Sequence, residues 1–240
     1  MAVNKVIYGG VTLMDLSADT VTPDTLAKGI TAHDRSGALI EGTMAGAENQ
    51  IDDMLTGSIT SLDTTVTSII AYACRNFQKL KTVNLPNATS IGTYAFYGCT
   101  ALTSVYAPKV TSLGSYVFYN CKMSYVNFPK VTAISQNAFY DCDLVKADFG
   151  VAKSVAQAAF AYCRTLEALI LRKSDAICTL SVASNGFTST PIAGGTGYIY
   201  VPKALLSDDD ETKDYRRAKN WENYSSQFRA IEDYPEITGG

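Results

Sequence analysis

The triplet spacing Phe-x-x-Cys recurs through the middle of this chain in TYAFYGCTAL from Thr93, SYVFYNCKM from Ser115, NAFYDCDL from Asn137 and AAFAYCRTL from Ala158. Cys99, Cys121, Cys142 and Cys163 fall in register at spacings of 22, 21 and 21 residues. A period of that length constrains the fold, because a unit so short cannot bury its own apolar face and has to stack on copies of itself. Continuing the register backward, SIIAYACRNFQKL supplies a further unit with Cys74 at the phenylalanine position and Phe77 at the cysteine position. A metal ligand or disulfide partner cannot be replaced by phenylalanine, whereas neighbouring core positions can exchange large for small. The cysteines therefore read as reduced, buried and inert. Rungs about 4.8 Å apart lie within the roughly 4.4–6.8 Å Cα separation that disulfides use, so distance alone leaves a bridge open.

Each unit carries a second signature after the cysteine: TVNLP, SVYAP, YVNFP, KADFG and ALILR. Alternation predicts short strands with Val83 and Leu85, Val105 and Ala107, Val126 and Phe128, Ala147 and Phe149, Leu169 and Leu171 inward. The outward set is then Thr82 and Asn84, Ser104 and Tyr106, Tyr125 and Asn127, Lys146 and Asp148, Ala168 and Ile170. A proline closing the strand cannot donate to a ladder and keeps it short. Ile69, Ile91, Leu113, Ile134 and Val155 follow as apolar anchors, after which the spacing of Ala95, Phe96, Cys99 and Leu102 predicts a turn of helix facing the core.

The flanks depart from the period. Residues 1–48 read as a small, mainly β module: two strands about Gly9 and Gly10, a helix start at Thr22 and Pro23, and a hairpin over Asp34 to Gly37. Residues 49–65 read as a linker or short helix, 66–203 as the repeat stack, and 204–240 as a capping helix with Ala218, Trp221, Phe228 and Ile231 on one face. Tyr198 and Tyr200 belong to a last strand with Ile199 and Val201 inward, and AGGTGY before it reads as a flexible connection.

The chemistry available is sparse. A formal net charge of −3 with 18% charged residues gives no reason to expect a phosphate-backbone partner or an anionic membrane surface, and no apolar run is long enough for a membrane span. The start, MAVNKVIYGG, lacks the pattern of a signal peptide. With one histidine, His33, in a predicted hairpin, triad and multi-histidine metal sites are disfavoured, and the cysteine spacings follow the fold period. Asp208, Asp209, Asp210 and Glu211 are consecutive, unlike a calcium loop, and read as a solvated loop pairing with Arg216, Arg217 and Lys219. No catalytic, metal or cofactor residue is expected, and an enzyme is disfavoured. Tyrosine is abundant, at 15 residues. Tyr97, Tyr119 and Tyr140, and Tyr72, Tyr94 and Tyr116, read as packing rows in the corners. The strand face formed by Thr82, Asn84, Ser104, Tyr106, Tyr125, Asn127, Lys146 and Asp148, with Tyr198 and Tyr200, is the candidate binding face, since rigid amphipathic rings lose little entropy on contact.

IGTYAFYGCTALTSVYAP, LGSYVFYNCKMSYVNFP and ISQNAFYDCDLVKADFG resemble the BspA-type leucine-rich repeat family, and YIYVPKALL through NWENYSSQFRAIED resembles the end that follows such repeats. The resemblance implies an α/β repeat, a leucine-rich-repeat solenoid of short parallel strands and helical turns, acting by binding. VTLMDLSADTVTPDTLAKGITAHDRSGALIEGTM resembles the front of tail-associated structural proteins of phages infecting Gram-positive gut bacteria. Together these imply a virion structural protein in the tail or baseplate, made in the host cytoplasm during assembly. Residues 1–48 would hold other tail proteins, and a homo-oligomeric solenoid would meet a host-surface protein or glycan. The alternative is a bacterial adhesin-like interaction protein.

Overall fold

The computed structural model describes residues 5–8, 11–15, 31–33, 39–41, 57–181 and 185–238. Two compact units divide at Ser58 and Ile59. In the first, β1 (Lys5–Tyr8) and β2 (Val11–Asp15) form an antiparallel pair with a bulge between Val6 and Ile7, and β3 (Thr31–His33) pairs antiparallel with β4 (Leu39–Glu41). The expected turns at Gly9 and Gly10 and at Asp34 to Gly37, and the helix start at Thr22, lie outside the described residues.

The second unit is a stack of three-sided coils. The first side carries β5 (Ser61–Asp63), β7 (Thr82–Asn84), β9 (Ser104–Tyr106), β11 (Tyr125–Phe128), β13 (Lys146–Phe149), β15 (Ala168–Leu171) and β17 (Tyr198–Val201). The second side carries two-residue strands that alternation did not predict: β6 (Ser68–Ile69), β8 (Ser90–Ile91), β10 (Ser112–Leu113), β12 (Ala133–Ile134), β14 (Ser154–Val155) and β16 (Thr179–Leu180). All pairings on both sides are parallel and keep equivalent residues in register, such as Val83 with Val105 and Val126 with Ala147. The stack includes β5, within residues 49–65, which pairs with β7. On the second side Thr111 and Thr132 each donate both the backbone N–H and the hydroxyl to the threonine carbonyl one coil earlier.

The third side corrects the expected helical turns. Within a corner the N–H groups alternate between two kinds of acceptor. Those of Ala95, Tyr97 and Cys99 reach back three residues, whereas those of Tyr94, Phe96 and Gly98 donate to Ser115, Val117 and Tyr119 of the next coil at 2.8–3.0 Å. An α-helix uses every interior N–H within its own chain. Bonding sideways requires the chain to unwind into successive turns, with left-handed residues at Tyr94 (φ 58°) and Gly98 (φ 69°). The same two places in neighbouring corners are held by Tyr72 and Asn76, Tyr116 and Asn120, Asn137 and Asp141, and Ala158 and Tyr162.

The interior follows the predicted inward set; all of it is buried except Val105, which is partly covered. Phe96, Phe118, Phe139, Phe160 and Phe187 form a column with successive ring centroids 5.5–5.8 Å apart. The six cysteines are free and buried. Cys99, Cys121, Cys142 and Cys163 each donate the thiol to the carbonyl at the phenylalanine position of the preceding coil, namely Cys74, Phe96, Phe118 and Phe139, at 2.9–3.2 Å. Cys74 thus occupies the phenylalanine position, as the exchanged order with Phe77 requires.

A continuous capping helix is not formed. Short 3-10 turns occupy Lys203–Leu205, Glu211–Lys213 and Trp221–Gln227, the last kinked at Tyr224. Then β18 (Phe228–Ala230) adds in parallel to β17, followed by a 3-10 turn at Ile231–Asp233 and helix α2 (Pro235–Thr238). The last coil presents both an apolar end and an open strand edge, and a helix could cover only the first. Trp221 and Tyr224 meet Phe187 at the end of the ring column, while β18 satisfies the edge of β17. Tyr215 accepts from Cys178 N–H at 2.7 Å through its hydroxyl. As expected, acids and bases of this segment pair locally, Arg216 with Asp208 at 2.6 Å and Arg217 with Glu211 at 3.1 Å. AGGTGY is a structured connection: Thr190 caps a helical turn, α1 (Pro191–Gly194), that ends on left-handed Gly195.

Candidate functional site

Strand alternation places the ten predicted face residues on the first side of the coils, and their environments divide them into two groups. Thr82, Ser104, Tyr106, Tyr125 and Asn127 are exposed, and Asn84 is half-buried and donates to Asp63 at 2.9 Å. From β13 onward the face is covered. Asp148 is only 4% exposed and Tyr200 only 5%, while Lys146 and Tyr198 are half-buried. Ala168 and Ile170, also expected outward, are buried.

The cover is the chain's own end. Ile231, Tyr234 and Ile237 pack on Ala168, Ile170 and Tyr200, forming a second apolar cluster on the outer side of the sheet. The tyrosine rings of 200 and 234 meet edge to face at 5.6 Å, and Lys146 Nζ donates to the carbonyl of Ile237 at 3.1 Å. A cavity of about 460 Å³ remains beside this strap, with Tyr198 and Glu236 among its lining residues. Asp148 is removed from the candidate face by Arg172, which binds both carboxylate oxygens, Nε to Oδ1 at 2.8 Å and Nη2 to Oδ2 at 2.7 Å. That carboxylate holds the Arg172 guanidinium pKa above its ordinary value.

The open half contains a fault. On the first side β5, β7 and β9 form one sheet and β11, β13, β15, β17 and β18 another, and on the second side no ladder pairs β10 with β12, although Thr132 and Ser135 still donate to the carbonyls of Thr111 and Leu113 across this level. Two sequence features meet there. The connection from Cys121 to Val126 is one residue shorter than that from Cys99 to Val105. Pro129 also lacks the N–H that Gly150 and Arg172 donate to Phe128 and Phe149 at the equivalent place. The corners stay joined across this level, Phe118 N–H to Ala138 O at 2.9 Å. The first-side ladder is interrupted here while the third side holds. Neither feature is sufficient alone, since Pro108 closes a β9 that pairs with β7, and the connection lengthens by one residue between β13 and β15, which pair in full.

A cleft of about 350 Å³ lies at the fault, lined by residues of β9 and β11 together with Pro108, Ser124 and Pro129. Tyr106, 58% exposed, and Tyr125, 44% exposed, stand on its two banks. Lys146 holds its ammonium 4.9 Å from the centre of the Tyr125 ring. Burial first, and then the nearby Asp148 charge, push the Tyr125 phenol pKa up. The predicted set thus contains the centre of this cleft, in Ser104, Tyr106, Tyr125 and Asn127, and misses its floor and rim.

The corner tyrosines pack as expected, but at the surface. Tyr72, Tyr94 and Tyr116 stack at 5.1 and 4.7 Å, and Tyr97, Tyr119 and Tyr140 at 4.7 and 4.6 Å, with Arg75 over the end of both rows. The thiols offer no nucleophile: burial pushes Cys74 up to about 11 and Cys99, Cys163 and Cys178 up to about 12. Among the described residues no group of three His, Cys, Asp or Glu side chains is placed to hold a metal ion.

Stacked parallel coils with equivalent residues in register and a ring column through the interior define a leucine-rich-repeat solenoid, a class that typically serves as a non-enzymatic binding scaffold. The profile of the BspA-type leucine-rich repeat region matches in six copies, over residues 56–167 and 89–192, and the chain belongs to that family. Among solved structures it is similar to a leucine-rich repeat protein from Bacteroides ovatus, at 19% identity and a TM-score of 0.48, over 75% of this chain and 49% of that one. This chain therefore spans about half the length of that relative. A search of curated proteins returned no match.

Proposed function

We propose that this chain is a non-enzymatic structural protein of a phage virion, carried on the tail or baseplate, that displays its solenoid for contact with a protein or glycan of the host surface. The open half of the strand face carries this reading: two exposed tyrosines flank a cleft in a surface where other outward positions are small and polar. Aromatic side chains at such a place supply contact area with little loss of rotamer entropy. Residues 1–48 are the attachment module in this reading, supported by the resemblance of their sequence to the front of phage tail proteins, and the copies on the particle form a homo-oligomer.

Location on the particle tests the proposal. Purified virions should contain the chain at a fixed stoichiometry, and gold-labelled antibody should decorate the tail. Absence from virions, with the chain found on the surface of uninfected bacteria, would replace the tail assignment with the adhesin-like alternative.

A further inference from the structure

The cleft between β9 and β11 has a lining whose chemistry selects a ligand. Its polar side chains, among them Ser104, Tyr106, Ser124, Tyr125 and Asn127, are all neutral at pH 7, and each can both donate and accept hydrogen bonds. Among the described residues no carboxylate, ammonium or guanidinium lines it. A charged ligand would lose hydration there without gaining a counter-charge. Lys146, in the next coil, is engaged by the Tyr125 ring and the carbonyl of Ile237. The volume of about 350 Å³ suits one or two sugar rings and lies at the small end of ligand sites. Because β9 and β11 belong to different sheets, their facing backbone groups are not consumed by a ladder between them.

We propose that this cleft binds a neutral saccharide. Tyr106 and Tyr125 cover the C–H faces of a pyranose, and Asn127, Ser104 and Ser124 exchange hydrogen bonds with its hydroxyls. A sugar hydroxyl is donor and acceptor at once, like the hydroxyls of Ser104, Tyr106, Ser124 and Tyr125 on the lining, whereas a peptide presents donors and acceptors separately and in fixed directions. Acidic sugars are disfavoured by the absent counter-charge. The proposal rests on the strand-face reading above and adds the chemical class of the ligand.

The test uses the full chain and a panel of methyl glycosides of glucose, galactose, mannose and N-acetylglucosamine, with glucuronate and N-acetylneuraminate as acidic counterparts. Binding is read by saturation-transfer NMR and tyrosine fluorescence. At least one neutral glycoside is expected to bind in preference to both acids. Its affinity should fall at least tenfold in Tyr106→Ala and in Tyr125→Ala, and stay unchanged in Tyr97→Ala, which alters the corner instead. Circular dichroism confirms that each variant is folded. Failure of every neutral glycoside, preference for an acid, or indifference to Tyr106→Ala overturns the saccharide. Binding to host cells separates the two levels. Loss of cell binding in Tyr106→Ala without saccharide binding overturns the ligand class alone, and cell binding that ignores Tyr106→Ala removes the strand-face reading as well.

Discussion

Phe118 and Asn127 lie nine positions apart and meet opposite surroundings, one a fully buried rung of the ring column and the other exposed on the strand face. Phe118→Ala should cost about 3–5 kcal/mol in urea denaturation, and Asn127→Ala about 0.5 kcal/mol or less. Equal effects would contradict the assignment of the two faces. Ala158 sits at φ 53°, in the left-handed region, without the side-chain hydrogen bonding that eases Asn or Asp there. Ala158→Gly relieves a strain of about 1–2 kcal/mol and gives back part of it as chain entropy. A net gain of about 0.5–1 kcal/mol should appear in the same assay. The buried thiols should resist Ellman's reagent in the native state and react fully after denaturation. Their folded pKa values are raised from 9.0 to about 11 or 12 by burial. Their contribution to stability is thus complete below pH 9 and is lost as pH rises toward 12, because the unfolded chain releases these protons first. The melting temperature should fall across that window. At this scale the sequence was most legible, since the exchange of Cys74 and Phe77 already marked the thiols as core volume. The hydrogen bond that Cys99, Cys121, Cys142 and Cys163 each make to the preceding coil was not, because it depends on how neighbouring corners align.

At the scale of elements, strand positions followed from alternation and helix from spacing, and the two inferences fared differently. Residues three apart share a face in a helix, but they also share one in a chain of tight turns, so Ala95, Phe96, Cys99 and Leu102 could not separate the two. The positive-φ residues at Tyr94 and Tyr116 decide in favour of turns, and nothing in tyrosine's own propensity announces them. The C-terminal segment shows the same limit. Trp221 and Phe228 had the spacing of a helical face, yet the last strand needed a partner and took Phe228–Ala230 as β18. Beyond β18 the strap of Ile231, Tyr234 and Ile237 is separable from the cap. A chain ending at Ala230 should keep its circular dichroism while binding a hydrophobic dye more strongly and self-associating, because Ala168, Ile170 and Tyr200 lose their cover. Unchanged dye binding would show that the strap does not shield them.

For the whole molecule, the repeat period identified the solenoid and its core, but the division of the strand face required coordinates. Ala168 and Ile170 had no polar residues to recommend them as a surface, and Asp148 could not be known to meet Arg172, 24 residues later. Contact is assigned to the open half, at the fault between the third and fourth first-side strands. Binding of the labelled chain to host cells tests this most directly, comparing Tyr106→Ala/Tyr125→Ala with Tyr97→Ala/Tyr119→Ala, which removes as many rings from the corners. The first pair should abolish cell binding with the fold intact, and the second should leave it in place. Cell binding that survives the first pair, or falls only with the second, would contradict that assignment.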